Sequence, residues 1–65
     1  MISTHLDYGG GTGGFSTFTQ KKGITTTIVE NSFGALTQLK KEGHHAYGSL
    51  EEIESNEKYD LITLW

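Results

Sequence analysis

The chain contains no cysteine and no proline, and it has no long hydrophobic run. Without cysteine, neither a disulfide bond nor a thiolate zinc site can supplement a small core. No apolar stretch approaches the roughly 20 residues that span a bilayer. The first five residues, Met1–His5, also lack the basic and apolar regions of a signal peptide. We therefore expect a cytoplasmic protein that does not associate with membranes.

Positive charge is also sparse. Five basic residues against eight acidic ones give a formal net charge of −3 over 65 residues. The pairs Lys21-Lys22 and Lys40-Lys41 stand where helices are expected to end, where lysine complements the helix dipole. Charge therefore gives no indication of nucleic-acid binding. With no proline-rich linker, the chain is expected to form one domain, 1–65.

Strand and helix patterns alternate along the chain. Apolar and β-branched runs predict strands at 2–7, 24–29, 44–47 and 59–65. Periodic apolar residues predict helices at 15–22 and from Asn31 or Ser32 to 42, with Gly23 and Gly43 as stop signals. Ser49 and Glu52 match a capping box that opens a short third helix before a polar loop at 55–58. This order predicts an α/β fold, Rossmann-like, with a parallel sheet in a three-layer α/β/α arrangement.

The helices are predicted to supply the core, and the histidines are not predicted to bind a metal. Apolar spacing on the first two helices predicts a core that contains Phe15, Phe18, Phe33, Leu36 and Leu39. His44 and His45 are adjacent on a predicted strand, where neighbouring side chains point to opposite faces, so a shared metal ion is not expected.

A glycine run joins the first strand to the first helix. Five of the nine glycines lie between Gly9 and Gly14, directly after Asp7. Glycine permits positive φ and lets a ligand approach the backbone, and the start of the following helix offers unpaired N–H groups. The pattern predicts a loop that binds a nucleotide-type cofactor.

Two phosphate-binding motifs have glycine spacings like those of this run. A P-loop requires Lys followed by Ser or Thr after its last glycine, but Phe15 follows Gly14. The dinucleotide fingerprint Gly-x-Gly-x-x-Gly is matched by Gly9, Gly11 and Gly14, and Glu30 ends the second strand. The P-loop is excluded, whereas a NAD-type dinucleotide-binding domain stays open as an alternative.

A third template fits more of the chain. The phrase Leu6-Asp7-Tyr8-Gly9-Gly10-Gly11-Thr12-Gly13-Gly14-Phe15 resembles the first motif of the class I S-adenosylmethionine-dependent methyltransferases. Glu30 at the end of the second strand and the aromatic-Asp start of 59–65 are similar to further elements of that family. Asp7 favours this family over a dehydrogenase, because a carboxylate suits the cationic S-adenosylmethionine better than a pyrophosphate.

The resemblance implies roles for eight residues. Asp7 would interact with the amino group of the cofactor, directly or through water, and would hold the loop in shape. Glu30 would accept both ribose hydroxyls. The remaining residues of the implied cofactor site are Gly9, Gly11 and Gly13 at the methionine and ribose, Asn31 and Leu50 at the adenine, and Trp65 at the crevice wall. Ser49 stands near where the family places an adenine-reading Asp, and it is expected to act as a helix cap.

The resemblance also implies a strand order of 3-2-1-4 and a sheet truncated from the seven strands of the family. The chain would then be the cofactor-binding part of a methyltransferase, with an unknown acceptor, no assigned catalytic base and little turnover of its own. The alternative is a non-catalytic α/β module that forms homo-oligomers through its open sheet edge.

Overall fold

A computed structural model describes residues 1–9, 11, 13–53 and 56–65 of the chain. Gly10 and Thr12 of the glycine run and Ser55 of the predicted polar loop lie outside the described residues. The elements are strands β1 (Thr4–Tyr8), β2 (Thr25–Val29), β3 (His45–Tyr47) and β4 (Leu61–Leu64), helices α1 (Gly14–Lys21) and α2 (Phe33–Lys41), and a 3₁₀ turn at Leu50–Glu52.

The strands form one parallel four-stranded sheet in the order β3-β2-β1-β4. β1 is central and pairs with β2 on one side and with β4 on the other, where Asp7 lies opposite Thr63. The chain thus runs outward from β1 to β3 and then crosses back to the other side of β1. This arrangement confirms the predicted α/β fold and the predicted strand order of 3-2-1-4.

The starts of β1 and β4 differ from the predicted ones, and both lie at the same end of the sheet. β1 begins at Thr4 and β4 at Leu61, each two residues later than expected. The carboxylate of Asp60 accepts hydrogen bonds from the backbone N–H groups of Ser3 (2.7 Å) and Thr4 (3.2 Å). This side chain joins the starts of β1 and β4 where a strand ladder was expected. The same two donors lower the pKa of Asp60.

Glycine ends both helices as predicted. Gly23 follows α1 with φ 82° and Gly43 follows α2 with φ 89°, the left-handed conformation that glycine adopts without a steric penalty. The predicted third helix is shorter than expected and forms the 3₁₀ turn, where the Glu52 carboxylate accepts the N–H group of Ser49 (3.1 Å). No helix in the described part of the chain is long and apolar enough to cross a membrane.

The two α-helices lie on the same face of the sheet. α1 hydrogen-bonds to the β1 side chains of His5 and Asp7, and Leu39 of α2 packs with Ile28 and Ala46 of the neighbouring strands. The described part of the connection from β3 to β4 borders a cleft of about 400 Å³ on the opposite face of the sheet. Among the described residues, the 3₁₀ turn is the only helical element on that face.

Three of the five predicted core residues are not in the core. Leu39 is buried and Leu36 is packed against the cluster of Ile28, Leu39 and Ala46. The prediction was wrong for Phe15, Phe18 and Phe33, which are exposed. The cause in α1 is the polar surface beneath it: the helix directs its buried Ser16 and Thr19 toward polar strand residues and leaves its phenylalanines outside.

Gly13 is required by packing as well as by backbone conformation. It is the N-cap of α1 with φ 82°, and a Cβ at this position would lie 2.8 Å from Cδ2 of the buried Leu39. Gly23 has the same φ of 82° but has open space around a Cβ. The two positions thus differ in packing and share the backbone penalty.

We expect Gly13→Ala to lower the free energy of unfolding by about 1–3 kcal/mol more than Gly23→Ala, because only the first change overpacks the core. Urea denaturation of the two variants measures this difference. Equal destabilisation would contradict the Leu39 contact, since both substitutions carry a similar cost for a left-handed residue.

Candidate functional site

The carboxyl ends of all four strands border an open crevice of about 390 Å³. In open parallel sheets this edge is the usual ligand-binding position, beside the point where the strand order reverses. The crevice is lined by the strand ends and the segments that follow them, namely Tyr8, Gly9, Val29, Asn31, Gly48, Ser49, Leu50, Glu51 and Trp65.

The charge of this crevice is negative. Glu51 lines it, and none of the described residues that line it is a lysine, arginine or histidine. Behind the wall, Asp7 and Glu30 are both buried carboxylic acids. The crevice is therefore better suited to a cation than to a phosphate.

Asp7 is fully buried beneath the crevice and has three hydrogen-bond donors. Its Oδ2 accepts from the Ser16 hydroxyl (2.6 Å), and its Oδ1 accepts from the Thr63 hydroxyl (2.8 Å) and from Nε1 of Trp65 (2.7 Å). The donors come from α1, from β4 and from the residue after β4. One carboxylate thus connects the start of α1 to the strand on the far side of β1.

The network continues from Thr63 to the buried His5. Nε2 of His5 lies 2.7 Å from Oγ1 of Thr63, and Nδ1 lies 3.1 Å from Oγ1 of Thr19. Because Thr63 donates its only hydroxyl hydrogen to Asp7, it must accept from Nε2, which therefore carries a hydrogen. Thr19 is also 2.9 Å from the Thr26 hydroxyl, which extends the network to β2.

Glu30 fixes the described part of the glycine loop. Its Oε1 accepts the N–H group of Gly11 (3.1 Å) and its Oε2 accepts that of Ser32 (2.9 Å). The carboxylate is nearly buried and bridges the loop after β1 to the start of α2. A carboxylate has about four acceptor positions, so each oxygen keeps capacity for a further donor.

The three predicted cofactor glycines occupy different environments. Gly9 (φ 78°) lines the crevice and donates its N–H group to Val29 O at 2.8 Å. Gly11 (φ 60°) is exposed and its N–H group is bonded to Glu30. Gly13 is buried under Leu39. The N–H groups of Gly9 and Gly11 are therefore already paired within the protein and are not directed at an anion.

The structure brings only part of the predicted site to the crevice. Four predicted residues line it, namely Gly9, Asn31, Leu50 and Trp65. The other four lie behind or beside it, namely Asp7, Gly11, Gly13 and Glu30. Asp7 and Glu30 hold the surrounding backbone and the Trp65 side chain in this structure, and their expected contacts with a ligand remain predictions.

The supporting residues Ser16, Thr63 and His5 were not predicted from the sequence. The signal that could have identified them is the polarity of β1, which is unusual for a central strand. β1 carries His5 and Asp7 two residues apart and therefore on one face of the sheet. Buried polar groups need partners. Threonines on the paired strands were the obvious candidates, but only the register Asp7–Thr63 identifies which one.

Neither a metal cluster nor a known family accounts for this site. Among the described residues, no three His, Asp or Glu side chains are grouped closely enough to hold a metal ion. No protein-family model matches the chain, and no curated protein or solved structure is significantly similar to it.

The buried His5 makes stability depend on pH. Burial lowers the pKa of His5, and the charge of Asp7 acts in the opposite direction with a smaller effect. As the pH falls through the ordinary histidine value of about 6.5, the unfolded chain takes up a proton before the folded one. Stability contributed by the neutral His5 is therefore lost as the pH falls from about 6.5 toward the folded pKa.

We expect His5→Gln to reduce this loss, because glutamine does not titrate. His45→Gln, at an exposed position in β3, is the matched control and should keep the pH dependence of the unmodified protein. Urea denaturation above and below about pH 6.5 measures both. An unchanged slope in His5→Gln would show that this histidine is not the source.

Proposed function

We propose that this chain binds S-adenosylmethionine in the crevice at the carboxyl ends of its strands, as the cofactor-binding part of a cytoplasmic methyltransferase. The observation that carries the proposal is the negative crevice beside a glycine turn. Glu51 lines the crevice and the buried carboxylic acids Asp7 and Glu30 lie behind it.

The chemistry of the ligand follows from this charge. S-adenosylmethionine carries a sulfonium and an ammonium group, whereas NAD and ATP carry phosphates. A phosphate-binding loop directs free N–H groups at its ligand, but the N–H groups of Gly9 and Gly11 are bonded to Val29 and Glu30. These features favour the cationic ligand over the NAD-type alternative.

The residues present fit such a cofactor in part. Gly9 offers bare backbone, Asn31 and Leu50 lie on the lining of the crevice, and Glu30 keeps acceptor capacity for ribose hydroxyls. The bound cofactor would supply an activated methyl group to an acceptor. The described lining includes no histidine that could act as a general base, so we expect binding without appreciable turnover.

Binding can be measured through Trp65, the single tryptophan of the chain, which lines the crevice. We expect S-adenosylmethionine to change the tryptophan emission at a lower concentration than NAD does. Glu51→Gln should weaken binding of S-adenosylmethionine about two- to fivefold, as expected for one exposed charge pair. Rising salt should weaken it as well.

Glu57→Gln is the matched control, because Glu57 lines the separate cleft on the face of the sheet opposite the α-helices. It should leave the affinity unchanged. Stronger binding of NAD than of S-adenosylmethionine, or equal effects of the two glutamine substitutions, would refute the proposed function.

The open edge of the sheet favours a second candidate function, association with another copy of the chain. β4 is the outermost strand next to β1, and it leaves Ile62 (56% exposed) and Leu64 (74% exposed) uncovered. Its four residues include no charge or proline of the kind that protects edge strands. Pairing of two β4 strands would bury this edge.

For this candidate we expect sedimentation coefficients to rise with protein concentration. Ile62→Lys should abolish the rise, because a charge at the edge opposes pairing. Phe33→Lys is the control, since Phe33 is 83% exposed on α2, away from β4. A monomer at all concentrations would rule out association.

A further inference from the structure

We infer that Trp65 is a pre-positioned stacking surface for a planar base, and that Asp7 acts on the site by holding this ring in place. The inference rests on the proposed function and identifies which part of the ligand Trp65 recognises. It also assigns Asp7 a role that acts through Trp65, whereas the sequence predicts that Asp7 contacts the amino group of the cofactor directly or through water.

The polar edge of the indole is held from below. Nε1 of Trp65 donates to Oδ1 of Asp7 over 2.7 Å, a distance typical of hydrogen bonds to a charged acceptor. Asp7 is fully buried and is itself held by Ser16 and Thr63. The anchor of the ring is therefore a side chain that has little freedom to move.

A second contact sets the tilt of the ring. Trp65 meets Phe15 at a centroid distance of 5.8 Å and an interplanar angle of 70°, an edge-to-face arrangement. Phe15 in turn contacts the buried His5 at 5.5 Å and 88°. Two independent contacts, one polar and one aromatic, thus restrict rotation of the indole.

The body of the ring is left uncovered. Trp65 is 75% exposed although its N–H group is paired with a buried carboxylate. A tryptophan that serves packing buries its large apolar surface, whereas Trp65, which belongs to the lining of the crevice, leaves most of its surface exposed. A restrained aromatic surface at the wall of a ligand site suits stacking of a flat aromatic group, and in S-adenosylmethionine this group is the adenine.

The tether is tested in the ligand-free protein by NMR of the single indole N–H group. We expect a downfield signal that is protected from exchange with water. Asp7→Asn should move it upfield and speed its exchange, because a neutral amide is a weaker acceptor. Asp60→Asn removes a carboxylate at the opposite end of the same strands and should leave the indole N–H signal unchanged. Unprotected exchange in the unmodified protein would overturn the tether.

The stacking role is tested with three ligands: S-adenosylmethionine, adenosine, and S-methylmethionine, a sulfonium without a base. Trp65→Leu should weaken binding of the two base-containing ligands about 5- to 100-fold, the range that stacking on an aromatic side chain provides. Trp65→Phe keeps a ring without the tether and should have a smaller effect. Binding of S-methylmethionine should be unaffected by either change.

The outcomes separate this inference from the proposed function. If Trp65→Leu leaves adenosine binding intact, or weakens S-methylmethionine equally, the stacking role is refuted while S-adenosylmethionine binding still stands. If Trp65→Leu removes adenosine binding but the unmodified protein binds NAD more tightly than S-adenosylmethionine, the stacking role holds and the proposed function fails. Absence of binding by any base-containing ligand overturns both.

Discussion

The structure depends on satisfying one buried carboxylate. Asp7 lies near the carboxyl end of the central strand and is fully buried, and a buried charge without partners costs several kcal/mol. Its three donors are neutral groups on α1, on β4 and on the residue that follows β4. The requirement to pair this side chain therefore determines how the first helix and the fourth strand approach the first strand.

The same requirement explains the unusual surface of α1. A helix of an α/β sheet normally packs through an apolar stripe, but here Ser16 and Thr19 face the sheet because Asp7 and His5 are beneath them. The phenylalanines of α1 are left at the surface, and one of them contacts Trp65. The polar buried side of α1 and its aromatic exposed side thus have one cause, the presence of His5 and Asp7 on β1.

Much of the fold could be predicted from the sequence, because its signals are local. The β-branched run of β2 and the glycines after each helix specify elements and their ends, and alternation of those elements implies a parallel sheet. The role of Asp7 could not be predicted in the same way. Its partners Thr63 and Trp65 are 56 and 58 residues away, and only the pairing of β1 with β4 reveals that they meet.

Helix periodicity likewise predicts which residues share a face, but not which face is buried. Phe15 and Phe18 form an apolar stripe on α1, and the stripe would be core in a sheet with apolar residues beneath it. The polar residues of β1 are evident in the sequence, but only the structure shows that they lie on the face of the sheet that α1 covers. The crevice residues contributed by backbone, such as Gly48, carry no side-chain signal at all.

The pairing of the first strand with the last also carries an entropic cost of loop closure. The parallel strands β1 and β2 are joined by a short crossover through α1, whereas the β1–β4 contacts close a loop of nearly the full chain. Until that closure, Asp7 lacks two of its three donors, so the charge at the centre of the sheet is only partly compensated. The crevice wall at Trp65 and the hydrogen bonding of Asp7 thus depend on the same long-range pairing, whose loop closure costs more chain entropy than the pairing of β1 with β2.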